Sequence, residues 1–137
     1  MNKAIIIAAI GIVVLIMGIF YFRSKEIGYK SISSKELSLM LEGEKDFTLI
    51  DVHTPQQQHI PKTDFMISYD EVDKITSVIP NKNSKVVFYC RSGSMSKILS
   101  EELIKEGYTN VFELENGLNG WLSENREVLP KGSVKII

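Results

Sequence analysis

Cysteine is nearly absent from this sequence: one residue, Cys90, among 137. An internal disulfide is therefore excluded, and a Cys-x-x-Cys redox pair lacks its second thiol, so any disulfide would be intermolecular. An excess of positive charge is also missing. The formal net charge is -1, which gives no electrostatic footprint for nucleic acid. The sequence has no internal repeat and no low-complexity tract. Its two histidines, His53 and His59, have neither a clustered carboxylate nor a second thiol beside them. No metal is expected on that basis, and no cofactor.

Charge is absent from one long stretch as well. Ala4 through Phe22 is nearly all Ile, Val, Leu, Ala, Met and Phe. That is about the length of a membrane-spanning helix, and it is too uniformly apolar for an amphipathic surface helix. Tyr21 stands where an interfacial aromatic would, with Arg23 and Lys25 beyond it. The run closes Gly18-Ile19-Phe20-Tyr21-Phe22-Arg23, without the small-x-small site of a cleaved signal peptide. The expectation is an uncleaved, single-pass anchor in the cell membrane through residues 4–22. Lys3 before it and Arg23, Lys25 and Lys30 after it do not fix which face the remainder occupies.

After a linker to Gly28, strands and helices alternate. Tyr29 to Ile32 reads as a short strand. Ser33-Ser34-Lys35-Glu36 is a capping box, followed by a helix with Leu37, Met40 and Leu41 on one face and Gly43 as its stop. Phe47 to Val52 is an apolar strand, and Phe65 to Ile67 another. Asp70 to Val78 has helical spacing, and Pro80 to Asn83 is a turn. Val86 to Tyr89 is the central strand. Met95, Ile98, Leu99 and Leu103 then fall at helical spacing up to Gly107. Asn110 to Leu114 is a strand, and Asn116-Gly117 leads into a last helix with Leu118, Trp121 and Leu122. No hairpin dipeptide joins adjacent strands. Such alternation predicts a mostly parallel sheet with helices on its faces, whose ligands bind at the carboxyl ends of the strands.

Cys90 lies at one of those ends. A loop of small residues follows, Arg91-Ser92-Gly93-Ser94-Met95-Ser96, and then a helix begins. A thiol reacts as its thiolate, and unpaired amides at a helix N-terminus favour that anion. The small residues let the loop curl into an anion-binding nest, with Gly93 free to adopt angles closed to other residues. The same cradle suits a persulfide, whose outer sulfur is anionic.

Several segments together resemble the rhodanese (sulfurtransferase) family. They are Leu49-Ile50-Asp51-Val52-His53-Thr54-Pro55, His59-Ile60-Pro61, Tyr69-Asp70-Glu71, Val87 to Gly93, Gly107 to Val111, and Leu114 to Trp121. The resemblance covers roughly residues 29 to 125. It implies an α/β fold with a five-stranded parallel sheet flanked by helices, here preceded by one transmembrane helix. The organisation implied is an anchor and linker over 1–28, a rhodanese-like domain over 29–130 and a tail over 131–137. Cys90 is the implied nucleophile, accepting a sulfane sulfur from thiosulfate or a persulfide and passing it to a thiol, cyanide or a protein acceptor. Arg91, Ser92, Gly93, Ser94, Met95 and Ser96 are the implied cradle, with Asp51, His53 and Lys97 at the rim. Two departures stand out. Family loops often carry an arginine at the fourth or fifth position after the cysteine, here Ser94 and Met95, and His53 replaces the arginine of the first signature.

Two other readings compete. A phosphatase of this fold needs an arginine six positions after the cysteine to clamp the phosphoryl oxygens; that position is Ser96. A membrane-tethered, non-catalytic binding module is the alternative that the missing loop arginine leaves standing. Trp121 reads as core, and His59 as a packed or hydrogen-bonded loop residue.

Overall fold

The computed structural model describes residues 2–24 and 28–137, without the side chains of 20–24. The elements run α1 (Lys3–Ser24), β1 (Lys30–Ile32), α2 (Ser34–Glu42), β2 (Thr48–Asp51), β3 (Phe65–Met66), α3 (Val72–Val78), β4 (Val86–Tyr89), α4 (Ser94–Lys105), β5 (Val111–Leu114), α5 (Gly117–Ser123) and β6 (Lys135–Ile136). The strands form one sheet in the order β1-β5-β4-β2-β3-β6, and every pairing is parallel.

The expected capping box is present. Ser33 Oγ accepts the Glu36 N–H at 3.2 Å, while the Ser33 N–H donates to Glu36 Oε2 at 2.7 Å. The Ser33 N–H, and after it the Ser33 hydroxyl donating to the same Oε2 at 2.7 Å, hold the Glu36 carboxyl below its ordinary range. Leu37 and Leu41 are thereby turned onto the sheet.

Both faces of the sheet are covered, which is why all four residues of β4 are buried. The alternation of side chains along a strand divides the core in two. Val86, Phe88 and Cys90 point to one face with Ile50, Val52 and Val111, under Ile75 of α3 and Leu99 and Leu103 of α4. Val87 and Tyr89 point to the other with Leu49 and Leu114, under Leu37 and Leu41 of α2 and Leu118 and Trp121 of α5. Trp121 is core, as expected, and its Nε1–H donates to the Glu127 carbonyl at 2.8 Å.

Three expectations are corrected. The sheet has six strands, not five. Lys135 and Ile136 pair with Phe65 and Met66 at the sheet's edge. Both residues of β6 are exposed, so no alternation of apolar and polar side chains marks them as a strand. On α4, Ile98 is 55% exposed; Ser96 and Ser100 share the buried face with Leu99 and Leu103. The small serines bring α4 close to the sheet.

The third correction concerns the N-terminus. Among the described residues, no helix is long and apolar enough to cross a membrane. The transmembrane helix, the membrane contact through residues 4–22 and the single-pass localisation at the cell membrane are therefore not found. Side chains at Tyr21, Arg23 and Lys25, and the linker backbone at 25–27, lie outside the described residues.

Candidate active site

Cys90 follows the last residue of β4, and α4 begins four residues later. Its side chain is 1% exposed. The turn between them closes on the sulfur: the Gly93 N–H donates to Cys90 Sγ at 3.1 Å. Gly93 sits at φ 97, in the left-handed region, as the N-cap of α4, a conformation suited to glycine. The first bond of the helix proper is Lys97 N–H to the Gly93 carbonyl at 3.1 Å. The amides of Ser94, Met95 and Ser96 thus precede any possible intrahelical acceptor.

The six residues of the expected cradle are placed differently. Arg91, Ser92 and Ser94 are exposed, Met95 is half-buried, and Gly93 and Ser96 are buried. Ser96 Oγ lies 3.7 Å from Cys90 Sγ and donates to the Gly93 carbonyl at 3.0 Å. Lys97 is exposed on the first turn of α4.

The back of the loop is held by α5. Leu118 N–H donates to the Cys90 carbonyl at 2.8 Å, and Asn119 N–H to that of Arg91 at 2.9 Å. Gly117 permits this approach. A Cβ there would collide with the Cys90 carbonyl oxygen and stand 2.9 Å from the Arg91 carbonyl carbon, and φ is 52. Gly117→Ala is expected to cost at least about 2 kcal/mol through strain and backbone displacement. Urea denaturation measures the loss, and a change within about 0.5 kcal/mol of the parent would contradict the close packing.

Asp51, expected at the rim, lies on the opposite face of the sheet from Cys90 and is fully buried. It organises the loop after β2. Its Oδ1 accepts the His53 N–H at 3.0 Å. Its Oδ2 stands 2.9 Å from His59 Nδ1, which carries the hydrogen, since a carboxylate can only accept. Gln57 Nε2–H donates to both oxygens at 3.3 Å. His59 is thus a hydrogen-bonded loop residue, as expected. His53, the other expected rim residue, is buried with Nδ1–H donating to the Pro55 carbonyl at 2.7 Å, so its ring is held by its own loop. Burial, and then the Asp51 charge, push the Tyr89 hydroxyl's pKa upwards. That hydroxyl accepts the Ile60 N–H at 3.1 Å and lies 2.9 Å from Thr63 Oγ1.

Two residues here escaped the sequence reading. Gln57 links Asp51 to the Cys90 loop, since Arg91 Nε–H donates to its Oε1 at 3.5 Å. Nothing in Gln56-Gln57-Gln58 distinguishes the middle glutamine. Glu113 of β5 is fully buried on the Cys90 side of the sheet. Its Oε1 accepts the Ser31 hydroxyl of β1, and its Oε2 accepts the Ser96 hydroxyl at 3.5 Å. The signal was a glutamate inside Val111-Phe112-Glu113-Leu114, because a strand covered on both faces should read as continuously apolar.

A parallel sheet with helices on both faces, and a cysteine between its central strand and a helix N-terminus, is the arrangement of a rhodanese-like domain. The sequence matches that family over residues 33–124, about two thirds of the chain, and the protein belongs to it. It is 32% identical over 105 residues to the "Sulfurtransferase" of Allochromatium vinosum, covering 74% of this chain and 96% of that protein. It is 27% identical over 110 residues to the "Adenylyltransferase and sulfurtransferase UBA4" of Candida albicans, covering 73% of this chain and 25% of that one. The chain thus spans about a quarter of that larger relative's length. The solved thiosulfate sulfurtransferase of Pseudomonas aeruginosa superposes with a TM-score of 0.69 at 21% identity, over 79% of this chain and 21% of that one. At that identity the likeness concerns the fold.

Proposed function

We propose that this protein is a sulfurtransferase in which Cys90 carries sulfur as a persulfide. The observation that supports this best is the seat of Cys90 Sγ at the start of α4, with the Gly93 N–H donating to it at 3.1 Å. The amides of Ser94, Met95 and Ser96 complete a partial positive charge around it. In loading, the Cys90 thiolate attacks the outer sulfur of thiosulfate; an S–S bond forms on Cys90, and sulfite leaves with the electron pair of the broken S–S bond. In unloading, an external nucleophile takes the outer sulfur and Cys90 returns to thiolate. A thiol, cyanide or a protein acceptor fills that role, because Cys90 is the only cysteine in the sequence. Arg91, Ser92, Gly93, Ser94, Met95 and Ser96 form the cradle in this reading. The Arg91 guanidinium draws in an anionic donor, with Lys97 adding positive charge nearby. Asp51 and His53 shape the neighbouring loop rather than touching the donor.

Intact mass of the purified protein after exposure to thiosulfate tests the reading. The expected result is a gain of one sulfur atom, removed again by cyanide. No gain with thiosulfate or a small persulfide would leave a non-catalytic binding module, a reading to which the 1% exposure of Cys90 lends weight.

A further inference from the structure

Glu113 is a fully buried carboxylate with no part in the chemistry above. It reaches the sulfur through one side chain. Ser96 Oγ stands 3.7 Å from Cys90 Sγ and 3.5 Å from Glu113 Oε2. The single Ser96 hydrogen goes to the Gly93 carbonyl at 3.0 Å; a hydroxyl has one hydrogen and two lone pairs, so rotating it off that carbonyl lets Ser96 serve Cys90 and Glu113 in either of two directions. With Cys90 as a thiol, S–H points at Ser96 Oγ and the Ser96 O–H at the Glu113 carboxylate. With Cys90 as an anion, the Ser96 O–H turns to the sulfur, and only a protonated Glu113 can then fill the lone pair of Oγ.

We infer that Glu113 is a positioning residue that shares one proton with Cys90 through Ser96, so that the pocket holds a single negative charge, on the carboxylate or on the sulfur. The S–H bond breaks as the Ser96 oxygen takes that proton. The former Ser96 proton passes to Glu113 Oε2, and the electron pair stays on sulfur. No other reactant is consumed. The inference rests on the sulfur-carrier reading for its use: a neutral Glu113 leaves the anionic persulfide free of a buried like charge.

Among the described residues, the other charged groups around the pair are engaged elsewhere or exposed. Asp51, from β2, is on the far face with His59 and Gln57. Glu71 at the start of α3 pairs with Lys74. Lys30 of β1 lies over the Phe112 ring. Arg91, Lys97 and Glu115 are exposed. Ser31 Oγ supplies the remaining donor to Glu113.

The test is the pH profile of Cys90 alkylation by iodoacetamide in the full chain, which needs no sulfur donor. Glu113→Gln keeps the shape and removes the charge. A carboxylate within about 7 Å of the sulfur at an effective dielectric of about 20 displaces a thiol titration by roughly one to two pH units. The profile of Glu113→Gln should therefore collapse to one wave, its midpoint lower by that amount than the main wave of the parent. Ser96→Ala keeps the charge but removes the bridge, and should move the midpoint the opposite way. A profile unmoved by either substitution, with folding confirmed by circular dichroism, overturns the inference. If Glu113→Gln fails to fold, Ser96→Ala decides alone: an unmoved midpoint rejects shared protonation. Sulfur loading by thiosulfate is measured separately, so failure of that reaction is distinguishable from failure of the proton coupling.

Discussion

Cys90→Ser is expected to abolish sulfur loading completely while leaving stability within about 1 kcal/mol of the parent. The two halves of that result have separate causes. A serine hydroxyl at this position is not ionised near neutral pH and cannot attack the outer sulfur of thiosulfate, and no second thiol exists to replace Cys90. The fold, by contrast, loses little. The hydroxyl keeps the volume nearly unchanged and inherits the Gly93 N–H as a partner, so its burial does not leave it stranded. Intact mass after thiosulfate and a urea titration read the two halves. Unfolding of the variant would make Cys90 a structural residue, and sulfur loading retained by the variant would place the sulfur elsewhere.

Asp51→Ala should be the most damaging single change to stability, at about 3–5 kcal/mol. One carboxylate satisfies three groups: the His53 amide, the Gln57 side chain and the fully buried His59. Truncation strands all of them away from water, and it is the stranding of polar groups, more than the loss of favourable bonds, that costs. Among the described residues His59 has no alternative, since its Nε2 already lies buried without a partner. Asp51→Asn retains one acceptor oxygen and should lose roughly half as much. Chemical denaturation gives the comparison; a loss below about 1 kcal/mol for Asp51→Ala would show that the loop finds other partners.

Much of this architecture was legible because the physics behind it is periodic. Strands separated by helices announced parallel pairing, and the apolar run Val86 to Tyr89 before Cys90 announced the central strand. The Ser33–Glu36 box is local and was read to the residue. What escaped is not periodic. β6 is two exposed residues at an edge, defined only by its pairing with β3. The buried face of α4 includes Ser96 and Ser100 rather than Ile98, because close approach to a sheet selects small side chains over apolar ones. Asp51 and His53 were placed at the rim by their position in the chain, whereas the alternation of β2 sends Asp51 to the opposite face. Glu113, on the same face of the sheet as Cys90 and linked to it through Ser96, lies within a strand that the sequence marks by its ends. The apolar N-terminus is the instructive correction: composition alone suggested a bilayer span, and among the described residues no helix is long and apolar enough to cross a membrane.

The bridge between His59 and Leu129, with N–H to carbonyl bonds of 3.0 and 2.7 Å, closes a circuit. From Asp51 the path runs through His59 to Leu129, back along the chain past Glu127 and Trp121 to the first turn of α5, and from there into the carbonyls of Cys90 and Arg91. Gln57 joins Arg91 to Asp51 and completes the hoop. Slack introduced at any point on a hoop is distributed around it. The turn that holds Cys90 is thereby tied to residues as far along the chain as Trp121 and Leu129.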